Sequence, residues 1–191
     1  MSISIENKTI AKSALNAFGG KPKVLKYWDE NNVSNIDVLS TVNRPYEGIT
    51  SYATIGLSDH SIDYTVDGSP LRVELVGASA NVSDHYPNVL ATCAFCVINS
   101  NFSIFHGEVF RDIIKMYYPA SEMKNILFVS PSWWVDLKSL EFQNKKVAWL
   151  LAVPISENEY QFAQEKGSYS LENLLEQKEI DIFDVERKSI L

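Results

Sequence analysis

Two cysteines, Cys93 and Cys96, and the tripeptide His106-Gly107-Glu108 are the residues whose types and spacing could do chemistry in this chain. Zinc deaminases combine a His-x-Glu with a Pro-Cys-x-x-Cys, because one imidazole and two thiolates hold Zn²⁺ while the glutamate moves protons. Here the order is reversed, Ala91-Thr92 stands where the proline would be, and nine residues separate Cys96 from His106. Leu90, Phe95, Val97 and Ile98 surround the two thiols, and free cysteine is among the most commonly buried residues. The preferred reading is therefore a core helix, and a metal site at Cys93, Cys96 and His106, with Glu108 in acid–base work, is the weaker alternative.

Other chemistry lacks a motif. His60, His85 and His106 have no spacing that sets two ligands on one helix face. Asp59 and Asp84 precede His60 and His85 directly, so their side chains point elsewhere, and surface histidines are expected. Ser58 and Ser132 are not in a Gly-x-Ser-x-Gly turn, no Gly-x-x-x-x-Gly-Lys loop is present, and Gly19-Gly20 is too short to cradle a phosphate. No catalytic residue and no cofactor is expected.

The elements that would position these residues come from pattern. Asn7 is expected to cap a helix with Ile10, Ala14 or Leu15, and Phe18 on one face, stopped by Gly19-Gly20. Strands are expected at Lys23–Trp28, Ile36–Val42 and Thr50–Leu57, the last with one buried face. Ile62, Tyr64 and Val66 alternate toward an Asp67-Gly68 hairpin turn, and Leu71, Val73 and Leu75 alternate after it. Pro87–Ile98 reads as a buried helix, Val109–Met116 as strand or helix, Ile126–Val129 as a short strand and Leu137–Phe142 as a weak one. Lys146–Val153 is apolar enough to lie centrally in a sheet, with Pro154 ending it. Ser156-x-x-Glu159 has the form of a capping box, so a helix should run to about Lys166. A second should start at Ser170 and reach Gln177, with Leu171, Leu174 and Leu175 inward and Glu172 and Glu176 outward. Together these give one α+β domain over residues 1–191, a mixed, mainly antiparallel sheet packed with helices.

With 191 residues, 46% hydrophobic and 21% charged, the chain is expected to be soluble, with one sizeable core. The N-terminus lacks a basic region followed by an apolar run, and no stretch is long enough to span a bilayer, so a cytoplasmic protein with reduced thiols is expected. Charge is unevenly spread. Between Glu157 and Glu186 stand nine acidic residues against Lys166 and Lys178, a local charge of −7 that equals the charge of the whole chain. No basic footprint for a nucleic acid is present. An acidic surface suits a basic protein partner. The solvated side of two helices is the plainer account of the same residues. Trp133-Trp134, after Pro131, could anchor a partner, although one ring on the sheet and one over a loop is preferred.

Tyr52-Ala53-Thr54-Ile55-Gly56-Leu57-Ser58, entered from the turn Pro45-Tyr46-Glu47-Gly48, resembles a signature segment of the suppressor-of-fused domain family. A second anchor lies about 90 residues on, in Val147 to Glu159 followed by Gly167 and Leu171 to Leu175. The resemblance is strongest over residues 45–175 and leaves 178–191 as an acidic C-terminal extension. It implies a suppressor-of-fused-like fold and, for bacterial members, an immunity protein without turnover. The implied partner is the C-terminal domain of a cognate polymorphic toxin, expected to be a basic nuclease and to be bound in the cytoplasm. Glu172, Glu176, Glu179, Asp181 and Asp184, with Trp133 or Trp134 as apolar anchor, are nominated as the contact residues on charge and hot-spot grounds. A peptide-binding regulatory module, as in the eukaryotic relatives, is the alternative. Gly56 is expected to permit a close backbone approach or a bulge, so this signature marks the scaffold and the contact surface is expected elsewhere.

Overall fold

The computed structural model describes residues 4–80 and 85–191, and Asp84 lies outside them. One mixed sheet divides the chain into two helical layers. Helix α1 (Ile5–Phe18) leads into strands β1 (Pro22–Trp28), β2 (Asn35–Val42) and β3 (Ile49–Ile55). A 3₁₀ turn at Leu57–Asp59 follows, then the hairpin β4 (Tyr64–Val66) and β5 (Ser69–Ala80), and helix α2 (Tyr86–Ser100). Next come β6 (Val109–Phe110), α3 (Ile113–Tyr117), β7 (Met123–Val129), β8 (Leu140–Glu141) and β9 (Lys146–Ser156). Helices α4 (Glu157–Lys166) and α5 (Ser168–Gln177) close the regular structure.

The strand order is β1-β2-β3-β5-β9-β7-β6, with β4 on β5 and β8 on β9. Among the described residues every pairing is antiparallel except β5 with β9, which runs parallel from Leu71 opposite Lys146 to Val76 opposite Leu151. Helices α2 and α3 pack on one face through Tyr86, Leu90, Cys93, Val97 and Ile114. Helices α1, α4 and α5 pack on the other through Ile10, Phe18, Ala163, Leu171 and Leu175.

Several expectations are corrected here. Ser4, not Asn7, caps α1: its hydroxyl accepts from the Asn7 N–H at 3.0 Å. Strand β3 is buried on both faces, because α1 covers Ala53 and Ile55 while α2 covers Tyr52. Pro154 does not end β9, which continues to Ser156 opposite β7. Parallel pairing with β5 stops at Leu151, and the Pro154 carbonyl beyond it is taken by Arg187 at 3.0 Å. The missing N–H therefore falls on a side where no neighbouring strand needs it. Helix α5 starts at Ser168 rather than Ser170, Leu174 is only half-buried, and Glu172 is not turned to solvent. The Val109–Met116 stretch holds both a short strand and a short helix. Both hydrogen bonds of the Ser156–Glu159 capping box form, at 3.1 and 2.9 Å.

The signature segment has a specific structural task. Glu74, wholly buried on β5, accepts from the Thr54 hydroxyl at 2.6 Å and from the N–H groups of Gly56, Leu57 and Ser58 at 2.9, 3.3 and 3.0 Å. Gly56 bends the chain around this carboxylate at φ +104°, a region that side chains disfavour. Lys145 ties the outside of the turn to α1 through the Ser58 carbonyl, Asp59 and Glu6 at 3.1, 3.0 and 2.8 Å.

Gly77 on β5 leaves room for a different contact. A β-carbon there would lie 2.6 Å from the Tyr86 hydroxyl, which donates to the Ala152 carbonyl at 2.8 Å. Replacing Gly77 by alanine is expected to push Tyr86 off β9 and cost about 1–3 kcal/mol. Urea unfolding would check this, and an unchanged midpoint would show that α2 shifts freely on the sheet.

Candidate functional site

The cysteine–histidine constellation does not assemble. Cys93 faces the core from α2, and burial, with Cys96 beside it, raises its thiol well above the ordinary range. Burial also raises the Cys96 thiol. Protonated thiols are poor ligands and poor nucleophiles. His106 lies on the loop before β6 and is engaged elsewhere. Its Nε2 meets the Glu172 carboxylate of α5 at 2.9 Å, and its ring stacks on Tyr169 at 4.7 Å. Among the described residues no three His, Cys, Asp or Glu side chains converge as a metal site would require.

Ser130 lies 3.3 Å from the other nitrogen of His106, completing a serine–imidazole–carboxylate chain. The nearby N–H groups of Gly107 and Glu108 already donate to the carbonyls of Phe128 and Phe105, so neither is free to stabilise an oxyanion beside Ser130. The chain therefore ties the β6 loop to α5. His85 is exposed and His60 half-buried.

The nominated acidic residues fall into three groups. Glu172 is bound to His106 and only partly accessible. Asp181 and Asp184 shape the segment after α5, accepting from the N–H groups of Phe183 and Glu186 at 3.0 and 2.8 Å. Glu176 and Glu179 project into solvent at the end of α5, where Glu179 takes a left-handed φ of +51° and ends the helix. Of the remaining acids of this segment, Glu157 pairs with Arg111 and Glu159 is buried against Arg187.

The two tryptophans separate cleanly. Trp134 is 4% exposed and packs against Phe18 at 5.0 Å. Trp133 is 49% exposed and lies 5.2 Å from Phe183 and 6.3 Å from Tyr46. Tyr46 is exposed too, and its hydroxyl donates to Asp181 at 3.4 Å. The result is a surface with an aromatic centre, Tyr46 and Trp133, next to Asp181. Sequence reasoning missed Tyr46. Its one signal was an aromatic side chain set in an otherwise polar turn, Arg44 to Gly48.

Residues 178–191 are an integral part of the body rather than an appendage. Phe183 and Val185 enter the core, and the Ser121 hydroxyl donates to the Val185 carbonyl at 2.5 Å. Arg187 grips Glu159 through both guanidinium nitrogens, at 2.7 and 2.8 Å. Chemically, an aromatic centre beside accessible carboxylates suits the capture of a basic protein surface.

The family model described as Suppressor of fused protein (SUFU) matches residues 32–188, a wider span than the two sequence anchors. The immunity protein YqcF of Bacillus subtilis strain 168 is 56% identical over 192 residues, covering the whole of both chains. Among solved structures, a suppressor-of-fused homologue of Neisseria gonorrhoeae superposes with a TM-score of 0.75 at 16% identity, covering 97% of each chain. Drosophila Suppressor of Fused superposes at 0.70 and 15% identity over 96% of this chain and 51% of its own. No helix among the described residues is long and apolar enough to cross a membrane.

Proposed function

Because the chain belongs to the suppressor of fused protein family, we propose that it acts as an immunity protein that binds and neutralises a cognate secreted toxin. The observation that carries this reading is the full-length, 56% identity to the immunity protein YqcF. The proposed partner is the basic C-terminal nuclease domain of that toxin, bound stoichiometrically in the cytoplasm without turnover. The accessible carboxylates of Glu176, Glu179, Asp181 and Asp184 steer the encounter, and Trp133 with Tyr46 supplies the desolvated anchor. Glu172 contributes through its hold on His106, and Trp134 supports Trp133 from within the core.

Expressing the toxin domain with and without this protein tests the role directly, and killing that continues at excess protein would reject it. Tight binding to a short peptide, with none to a folded toxin, would favour a regulatory module instead. The contact surface has its own test. Reversing Glu176 and Glu179 to lysine is expected to slow association most at low salt, while Trp133→Ala should speed dissociation and cost about 2 kcal/mol. Unchanged rate constants in both variants would move the contact surface elsewhere without touching the role itself.

A further inference from the structure

Strand β1 leaves one edge unpaired among the described residues and exposes more apolar surface than an edge strand ordinarily carries. Val24, Leu25 and Trp28 are all exposed, with Val33 in the turn that follows. Neighbouring residues of a strand point to opposite faces, so this exposure exists on both sides of the sheet. Leu25 shares the α2 side with Tyr27, which packs on that core, while Val24 and Trp28 share the other.

The strand is also charged in opposite senses at its two ends. Lys21 and Lys23 stand at the start, and Asp29 and Glu30 follow the end. Lys26, between them, is neutralised within its own chain by Asp37 at 2.8 Å and Asn35 at 2.9 Å. The side chains of Lys21, Lys23 and Glu30 bond to nothing among the described residues. A strand that is basic first and acidic last complements itself when paired antiparallel.

We infer that this chain forms a two-fold dimer by antiparallel pairing of β1 with the β1 of a second copy. An axis through Leu25 sets Leu25 against Leu25, Lys23 against Tyr27, Val24 against Lys26, Pro22 against Trp28 and Lys21 against Asp29. Each pair shares a face, and no like charges oppose one another. Centring the axis on Lys26 instead would set two lysines face to face. Beside the strand end, on the α2 side, lies a cavity of about 380 Å³ whose lining includes Tyr27, Asp29, Glu30, Phe95 and Tyr117. Its aromatic walls and acidic rim suit the ammonium group of Lys21 from the second copy.

Sedimentation equilibrium over about 1–100 μM protein tests this, with a reversible monomer–dimer equilibrium expected in that range. Lys21→Glu with Lys23→Glu in one chain, or Glu30→Lys in another, should each raise the dissociation constant about tenfold. Mixing the two variant chains should restore association between unlike chains, which a merely structural role for these residues would not produce. A monomer throughout the range, an unchanged dissociation constant in the variants, or no recovery on mixing would each overturn the proposal. No toxin enters the experiment, so its failure leaves the immunity reading intact.

Discussion

Replacing Arg187 by alanine is expected to lower the unfolding free energy by about 3–5 kcal/mol, the cost of breaking a buried ion pair by removing one partner. Glu159 is wholly buried, and its carboxylate receives both guanidinium nitrogens as well as the N–H groups of Ser156 and Ile190. Without Arg187 that charge has no counter-ion, and the Pro154 carbonyl loses its donor. Residues 178–191 should detach from the sheet and carry Phe183 out of its place between the two tryptophans. Urea unfolding checks the magnitude. Glu159→Gln together with Arg187→Met should cost less than R187A alone, because no buried charge remains. A loss in R187A below about 1 kcal/mol would mean that water reaches the carboxylate readily.

Glu74→Gln is the second large effect. Both carboxylate oxygens of Glu74 accept hydrogen bonds, Oε1 from the N–H groups of Gly56 and Ser58, Oε2 from the Thr54 hydroxyl and the Leu57 N–H. An amide nitrogen therefore meets donors whichever way it turns. At roughly pH 4.5 a loss of about 3 kcal/mol is expected, and it shrinks toward pH 7 because only the wild type loses stability over that range. Burial pushes the Glu74 carboxyl up to about 7, against the hydrogen bonds from Thr54, Ser58 and Gly56 that pull it down. A folded pKa above the unfolded one stabilises fully below the unfolded value, and that contribution is lost as pH rises through about 7. The wild type should thus lose about 3 kcal/mol between roughly pH 4.5 and 7 from this group, a slope that Glu74→Gln removes. Parallel pH profiles of wild type and variant would reject the assignment.

Local patterns carried most of the architecture. The alternation around Asp67-Gly68, the capping box at Ser156 and the apolar run in α2 each follow from interactions within a few residues, and each forms as read. What one sequence could not expose were the long-range partners. Nothing local says that β3 is covered twice, that Glu172 meets His106 66 residues away, or that Glu159 belongs to Arg187. The acidic count drew attention to the C-terminus, but charge composition does not distinguish Glu176, which faces water, from Glu159, which is buried. The signature segment could be read only as scaffold. Its glycine and hydroxyl acquire a reason once Glu74 is seen inside the turn.

The parallel β5–β9 pairing also sets an order in time. Its partners, Leu71 with Lys146 through Val76 with Leu151, are about 75 residues apart. At ribosomal speeds of about 5–20 residues per second, β5 waits some 4–15 s for β9 to be made. During that interval the first half of the sheet has an open edge at its future centre. A nascent chain is thus most prone to mispairing at the strand that is later its best protected, and fast synthesis of residues 81–156 shortens the hazard.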